Sequence, residues 1–394
     1  MIESNSKFAT SVALPRNETV KMSHRAVVSA VNLNEGGTLT VLIESLDAAA
    51  VTLGPEWEII ALVNRCDLVS NPRIKTIAFP DSKRSWLRRL KLEWFDFKRL
   101  SRELKPDLWL SLHDITPRIE ARRQAVYCHN PSPFYKPSLQ EARFDPRFML
   151  FNLFYLHLYR RFISQNHSVI VQQSWLRDAF RQYTGHPNIL VAYPVGKDGG
   201  TLSGLAGERA VMRQPTPERP LRLLYPALPR IFKNIETICQ AVEALPAHHQ
   251  NLVELRLTFD GSESKWAADL ARRYGHLPNV KLIGRQDRSL MTAEYQDSDM
   301  VLFPSRLETW GLPISEAKSF GKALLVSDLP YAHETVGTYD NVKFLSAKDH
   351  RYWTAEISAA VDGHWTPDGQ KFELPKYPFF SDWSSLWLYL TKGL

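Results

Sequence analysis

Short apolar runs separated by amphipathic stretches recur along most of the chain. In the second half the runs are "LRLLYP" (221–226), "VELRLTFDG" (253–261), "VKLIG" (280–284), "MVLFP" (300–304), "ALLVSD" (323–328) and "VKFLS" (342–346). Their length and apolar content read as strands, and segments such as "NIETICQAVEAL" (234–245) read as the helices between them. The first half repeats the pattern with "AVVSAVN" (26–32), "WEIIALVN" (57–64), "IKTIAF" (74–79), "DLWLSLHD" (107–114), "QAVYCHN" (124–130), "SVIVQQ" (168–173) and "ILVAYP" (189–194). Strict βα alternation predicts an α/β fold with parallel sheets covered by helices on both faces. The strands run into Gly, Asn, His, Asp or Pro, as where loops leave the carboxyl edge of a sheet.

The stretch 195–220, "VGKDGGTLSGLAGERAVMRQPTPERP", is rich in Gly, Pro and Ser and reads as a linker. The expected organisation is a disordered leader (1–23), a first domain (24–195), a linker (196–220) and a second domain (221–372). Two doubly wound, Rossmann-like domains would turn their carboxyl edges toward a shared cleft, where ligands of such sheets bind.

Length and composition agree: 394 residues suffice for two domains, and 44% hydrophobic with 23% charged residues is ordinary for a globular chain. Cys66, Cys128 and Cys239 are far apart with no CxxC, which argues against a zinc site or disulfide framework and fits a reducing, cytoplasmic setting. The first residues lack the apolar core of a signal peptide. The most apolar run, "FMLFNLFYLHLY" (148–159), contains Asn152 and His157 and is too short to span a bilayer. Charge changes the picture more. Residues 1–200 hold 27 Lys+Arg against 19 Asp+Glu, a balance of +8, whereas residues 201–394 balance at −1. A basic first half calls for an anionic partner: a phosphorylated ligand, an anionic membrane surface or nucleic acid. No aromatic–basic nucleic-acid module of recognised type is found there.

Residues 306–321, "RLETWGLPISEAKSFG", carry the densest chemistry. Pro313 suits the first turn of a helix and Gly321 the position just past its end. Glu308 then lies in the preceding loop and Glu316 one turn inside the helix. Both border a helix N-terminus at a carboxyl edge, where free N–H groups favour an anion. Without further context, Glu316 serving only the helix dipole is an equal reading.

Glu308-x7-Glu316 with the interposed "GLP" resembles the signature of retaining glycosyltransferases of family 4, the group 1 enzymes with the GT-B fold. Residues 279–337 follow that family's order almost continuously. The resemblance implies a nucleotide diphosphate sugar as donor, with Glu316 on the ribose, Glu308 near the reacting sugar, and Gly311 and Leu312 amides on sugar and phosphates. In "YPALPRIFKNIET", Arg230 and Lys233 correspond to the basic pair on the diphosphate, at a spacing shorter than the family's Arg-x4-Lys or Arg-x5-Lys. Arg285 in "GRQDRSL" falls near the base. Gly36 and Gly37 in "NEGGTL" match the glycine-rich loop after the first strand, and His129 in "VYCHNPSPFY" matches a histidine that bonds the donor sugar. His113 and Asp114 are acceptor or supporting candidates. The tail 373–394 resembles the helix that crosses back to the first domain. No metal or other cofactor is implied. The acceptor implied is a glycan or glycolipid of the surface-polysaccharide kind. Other readings are another GT-B enzyme, an epimerase or phosphorylase, or a noncatalytic GT-B scaffold.

Residues 82–105 read as one basic amphipathic helix with a stripe of Leu87, Leu90, Trp94, Phe97, Leu100 and Leu104, surrounded by Lys83, Arg84, Arg88, Arg89, Lys91, Lys98, Arg99 and Arg102. It either attaches peripherally to an anionic membrane, at the inner face of the membrane, or packs its stripe on its own sheet with a solvated basic face.

Overall fold

The computed structural model describes residues 23–135, 144, 146–194 and 212–394. Residues 1–22 of the expected leader and most of the expected linker lie outside these residues. The first sheet contains β1 (His24–Ala30), β2 (Trp57–Val63), β3 (Ile74–Ala78), β4 (Leu108–Ser111), β5 (Arg123–Cys128), β6 (Ser168–Val171) and β7 (Ile189–Ala192). The second contains β8 (Leu221–Tyr225), β9 (Val253–Leu257), β10 (Val280–Leu282), β11 (Met300–Phe303), β12 (Ala323–Ser327) and β13 (Val342–Leu345). A last strand, β14 (Phe379–Phe380), returns to the first sheet beside β7.

The first sheet is ordered β14-β7-β6-β5-β4-β1-β2-β3 and the second β10-β9-β8-β11-β12-β13. Every pairing between these strands is parallel. Both sheets therefore reverse winding direction once, between β1 and β4 and between β8 and β11. A doubly wound sheet opens its binding crevice above that reversal. The central strands are buried on both faces, for example Leu302 and Phe303 of β11, because helices cover each side. The C-terminal helix Trp383–Thr391 packs on the first helix, Gly36–Thr52, and the Trp387 indole N–H donates to the Ser45 carbonyl at 2.8 Å.

The basic segment 82–105 is not one regular helix. Ser85 caps Trp86–Lys91, a π turn occupies Leu92–Asp96, and Phe97–Leu104 follows. One extra residue in a π turn rotates the following face by about 100°. The expected stripe mostly packs on its own domain: Leu90, Trp94, Phe97, Leu100 and Leu104 all meet core residues. Leu87 departs from it and is 80% exposed, while Arg89, expected on the solvated face, is buried against Glu93. No described helix is long and apolar enough to cross a membrane.

Candidate active site

In the second domain the site grows from the loops that leave β8 and β11, the two strands at the winding reversal. After β8 a 3-10 turn, Ile231–Lys233, ends at Asn234, which adopts the left-handed backbone (φ 57°) that asparagine tolerates better than most residues. The Asn234 side chain is fully buried and donates to the carbonyls of Pro304 (3.0 Å) and Ala347 (2.8 Å). The Tyr225 hydroxyl donates to the Lys233 carbonyl at 2.8 Å. The turn carrying Lys233 is thus pinned to the ends of β8, β11 and β13. Its ammonium meets the Glu308 carboxylate at 2.5 Å, in the loop after β11. Both side chains keep partial access, 17% and 13%, so the pair sits at the wall of the cleft.

Past Glu308 the chain turns at Gly311 (φ 83°) into the helix Leu312–Ser319, with Pro313 in its first turn. A side chain at Gly311 would be strained in that backbone and would crowd the Phe303 ring at 3.3 Å. The helix ends as its sequence predicts: Gly321 N–H donates to the Lys318 carbonyl and Lys322 N–H to the Ala317 carbonyl, each at 3.0 Å. Lys318 donates to the carbonyls of Thr335 and Val336, and burial lowers its pKa to about 8. Glu316 is exposed, with one oxygen accepting from the buried Tyr295 hydroxyl at 2.6 Å. Burial, then the Glu316 charge, pushes the Tyr295 phenol well above its ordinary pKa, so it stays a donor. Glu316 is therefore oriented and still presents an acceptor to the cleft.

The first domain meets this loop directly. A Cβ on Gly37 would lie 2.8 Å from the Leu312 δ-methyl, so two residues singled out in sequence face each other across the domains. Trp310 packs on Tyr193, ring centroids 4.4 Å apart, and its carbonyl accepts from the Thr335 hydroxyl. Phe232, next to Lys233, lies between Tyr135 (6.3 Å) and Phe148 (5.9 Å). At the seam, the Glu334 carboxylate caps the first-domain helix Ser174–Thr184, accepting from Ser174 N–H at 2.8 Å. Burial pushes Glu334 up to about 7 against the pull of that hydrogen bond.

His129 follows β5, partly exposed, with Nε2 3.6 Å from Asp114 Oδ2. The structure corrects the assignment of its neighbours to an acceptor surface. His113 is fully buried, bonded to Ser29 and Glu93, and burial holds its imidazole well below its ordinary pKa, hence neutral. Asp114 is almost as buried and directs its carboxylate at the backbone of residues 129–130. Neither can touch an acceptor; both support the loop. Gly36 is exposed at the start of its helix, Arg230 is exposed at the cap of the Lys233 turn, and Arg285 is exposed after β10, two strands from the winding reversal. The Lys233–Glu308 cluster does not gather Arg285. Tyr295, Asn234 and the partners that bury Asp114 escaped sequence reading. Tyr295 had no local signal, being 21 residues from the carboxylate it holds.

Two doubly wound domains that meet through the loops of their winding reversals define the GT-B architecture. Residues 211–363 match the family model described as glycosyl transferases group 1. The chain is 26% identical over 117 residues to the glycogen synthase of Mycobacterium tuberculosis, which is 30% of this chain and 28% of that protein's length. Solved structures agree over most of the chain. Sucrose-phosphate synthase of Thermosynechococcus elongatus aligns at a TM-score of 0.60 and 17% identity, covering 86% of this chain and 90% of that one. WaaG, a glycosyltransferase involved in lipopolysaccharide biosynthesis, aligns at 0.60 and 13%, covering 93% and 100%. Anabaena HepE in complex with UDP-glucose aligns at 0.57 and 16%, covering 86% and 90%.

Proposed function

We propose that the protein is a retaining, metal-independent glycosyltransferase of the family 4 kind. The observation that carries this reading is the Lys233–Glu308 pair at the winding reversal, beside the helix that Gly311 opens. Lys233 exchanges its carboxylate partner for the diphosphate of a bound nucleotide sugar. Arg230 and the N–H groups of Gly311 and Leu312 add to the charge that stabilises the leaving diphosphate. The bond from the anomeric carbon to the diphosphate breaks, and the acceptor oxygen bonds to that carbon on the same face. The acceptor proton passes to the departing phosphate oxygen. Glu308 and His129 bind the sugar, Glu316 accepts from the ribose hydroxyls, and Arg285 reaches toward the base. The UDP-glucose in the similar Anabaena structure supports a nucleotide sugar donor.

The acceptor is a glycan or glycolipid of the lipopolysaccharide or surface-polysaccharide type, and the enzyme works at an anionic membrane face on the cytoplasmic side. Exposed Leu87 and Trp86 stand beside Arg84 and Arg88, and the neighbouring helix Pro146–Arg160 exposes Leu150 and Phe154. The two helices meet where Trp86 contacts Phe151 and Tyr155. Apolar tips rimmed by cations suit an anionic lipid surface. Incubation with a panel of nucleotide sugars, with and without lipid acceptor, should release nucleotide diphosphate with one donor and keep that activity in EDTA. Absence of release with every donor, or strict metal dependence, would overturn the reading. Co-sedimentation with phosphatidylglycerol vesicles should weaken in a Leu87→Ser, Leu150→Ser double variant.

A further inference from the structure

A buried polar cluster in the first domain, built on Glu93, His113 and Asp114, lies under the His129 turn. Its centre is Asp114, in the loop three residues past the end of β4 and held at φ 71°, a left-handed backbone that few side chains adopt. The Oδ1 atom accepts from His129 N–H at 2.6 Å and from Asn130 N–H at 3.0 Å. The hydroxyls of Tyr155 and Tyr159 donate to the two carboxylate oxygens at 3.3 and 3.4 Å. The one Tyr159 proton is shared with the Asn130 carbonyl, the nearer acceptor at 2.7 Å, so this hydroxyl ties Asp114 to the turn.

The support continues inward. Arg89 donates to the His113 carbonyl at 2.8 Å and to Glu93 at 2.7 Å. Glu93 faces His113 at 3.3 Å from inside the π turn, and the Ser29 hydroxyl bonds the other imidazole nitrogen. The peptide between His113 and Asp114 is clamped from below by a buried cation, and its carboxylate is aimed upward at two backbone amides. The His129 Nε2 is 3.6 Å from Oδ2, beyond hydrogen-bond range, so Asp114 fixes the backbone of His129 and leaves that nitrogen for a ligand.

We propose that Asp114 is a positioning residue: by accepting the two amides it sets where His129 stands in the cleft, with Arg89 and Glu93 as its foundation. This rests on the reading of His129 as a partner of the donor sugar. A misplacement of about 1 Å can cost on the order of 100-fold in turnover, and two lost anchors permit such a shift.

The test uses the full chain and two substitutions that the φ 71° backbone accepts. Asp114→Gly removes the carboxylate without backbone strain. Asp114→Asn keeps an oxygen acceptor for both amides. In Asp114→Gly, kcat should fall about 100-fold with donor KM within about threefold of the parent, and amide hydrogen exchange should quicken at residues 129 and 130. Asp114→Asn should restore slow exchange and most of kcat. Slow exchange at both amides in Asp114→Gly, or an Asp114→Asn as impaired as Asp114→Gly, would overturn the proposal. If exchange behaves as expected while the parent enzyme transfers no sugar, the positioning stands and the glycosyltransferase reading fails.

Discussion

The two sheets share one strand order around their winding reversal but use it in opposite ways. In the second domain the polar groups of the reversal stand at the cleft wall: Lys233 and Glu308 are partly exposed and Glu316 is exposed. In the first domain the groups above the corresponding position, His113 and Asp114, are sunk beneath the surface and tied to Arg89, Glu93 and two tyrosines. The second domain presents chemistry; the first builds a platform that presents one histidine and two glycines. A charge that must meet a ligand keeps access to it, whereas a buried charge is tolerable only when other groups in the protein satisfy it.

The comparison is broken most sharply at Lys233. Lys233→Ala should lower kcat by about 100-fold or more, the scale of losing one preorganised group that stabilises developing charge. Donor affinity should change far less. A turnover within a few-fold of the parent in steady-state kinetics would move the chemistry away from the second domain's reversal.

Glu334 tests the seam between the domains. Its pKa is raised by burial from the usual 4.5 to about 7. A folded state that keeps a proton the unfolded chain has lost becomes relatively less stable as pH rises from about 4.5 to about 7. The contribution is fully present below that window and lost above it, up to about 3 kcal/mol at 1.36 kcal/mol per unit. The groups facing it are Ser174, Tyr193 and Arg177. Glu334→Gln keeps an acceptor for Ser174 N–H and cannot titrate, so denaturant midpoints at pH 5 and pH 8 should lie closer together than in the parent. Glu93, pushed to about 7 by its own burial, contributes to the parent's slope and remains in the variant. An unchanged slope would mean that the seam opens to water in solution.

Glu316→Ala removes the acceptor of the buried Tyr295 hydroxyl, so stability should fall by about 1–3 kcal/mol while donor KM rises about tenfold, the scale of a bond to a charged group. Tyr295→Phe should give a smaller rise in the same assay, because it frees the carboxylate without removing it.

The second domain was far more legible in sequence than the first, for a physical reason. Its site is local: Glu308, Gly311, Pro313, Glu316 and Gly321 are one loop and one helix, and each residue type matches the backbone it occupies. The shortened Arg230–Lys233 spacing puts both cations on one turn, Lys233 against Glu308 and Arg230 exposed at its cap. The strands of both sheets were also legible, because burial on both faces leaves an unbroken apolar run. In the first domain the supporting cluster joins residues 89, 93, 113, 114, 129, 155 and 159, and no spacing rule connects them. The π turn hid it further. It carries Glu93 into the core and follows the short helix that buries Arg89, two charged residues that residue type alone assigns to solvent.

The smallest expected effect is the most exacting for the contrast between the domains, because it asks whether they work in the observed contact. Gly37 has an ordinary negative φ and starts a helix, so Gly37→Ala carries no backbone strain and should leave stability equal or raise it by about 0.5 kcal/mol. Its new methyl would stand 2.8 Å from the Leu312 δ-methyl of the other domain. If the domains must close on this contact, kcat should fall about threefold despite the unchanged stability. Leu312→Ala makes room for the methyl, so the double variant should recover, giving a coupling energy above about 0.5 kcal/mol in a double-mutant cycle. Additive effects would mean that the working enzyme keeps Gly37 and Leu312 apart and that the first domain's platform addresses the donor from a more open cleft.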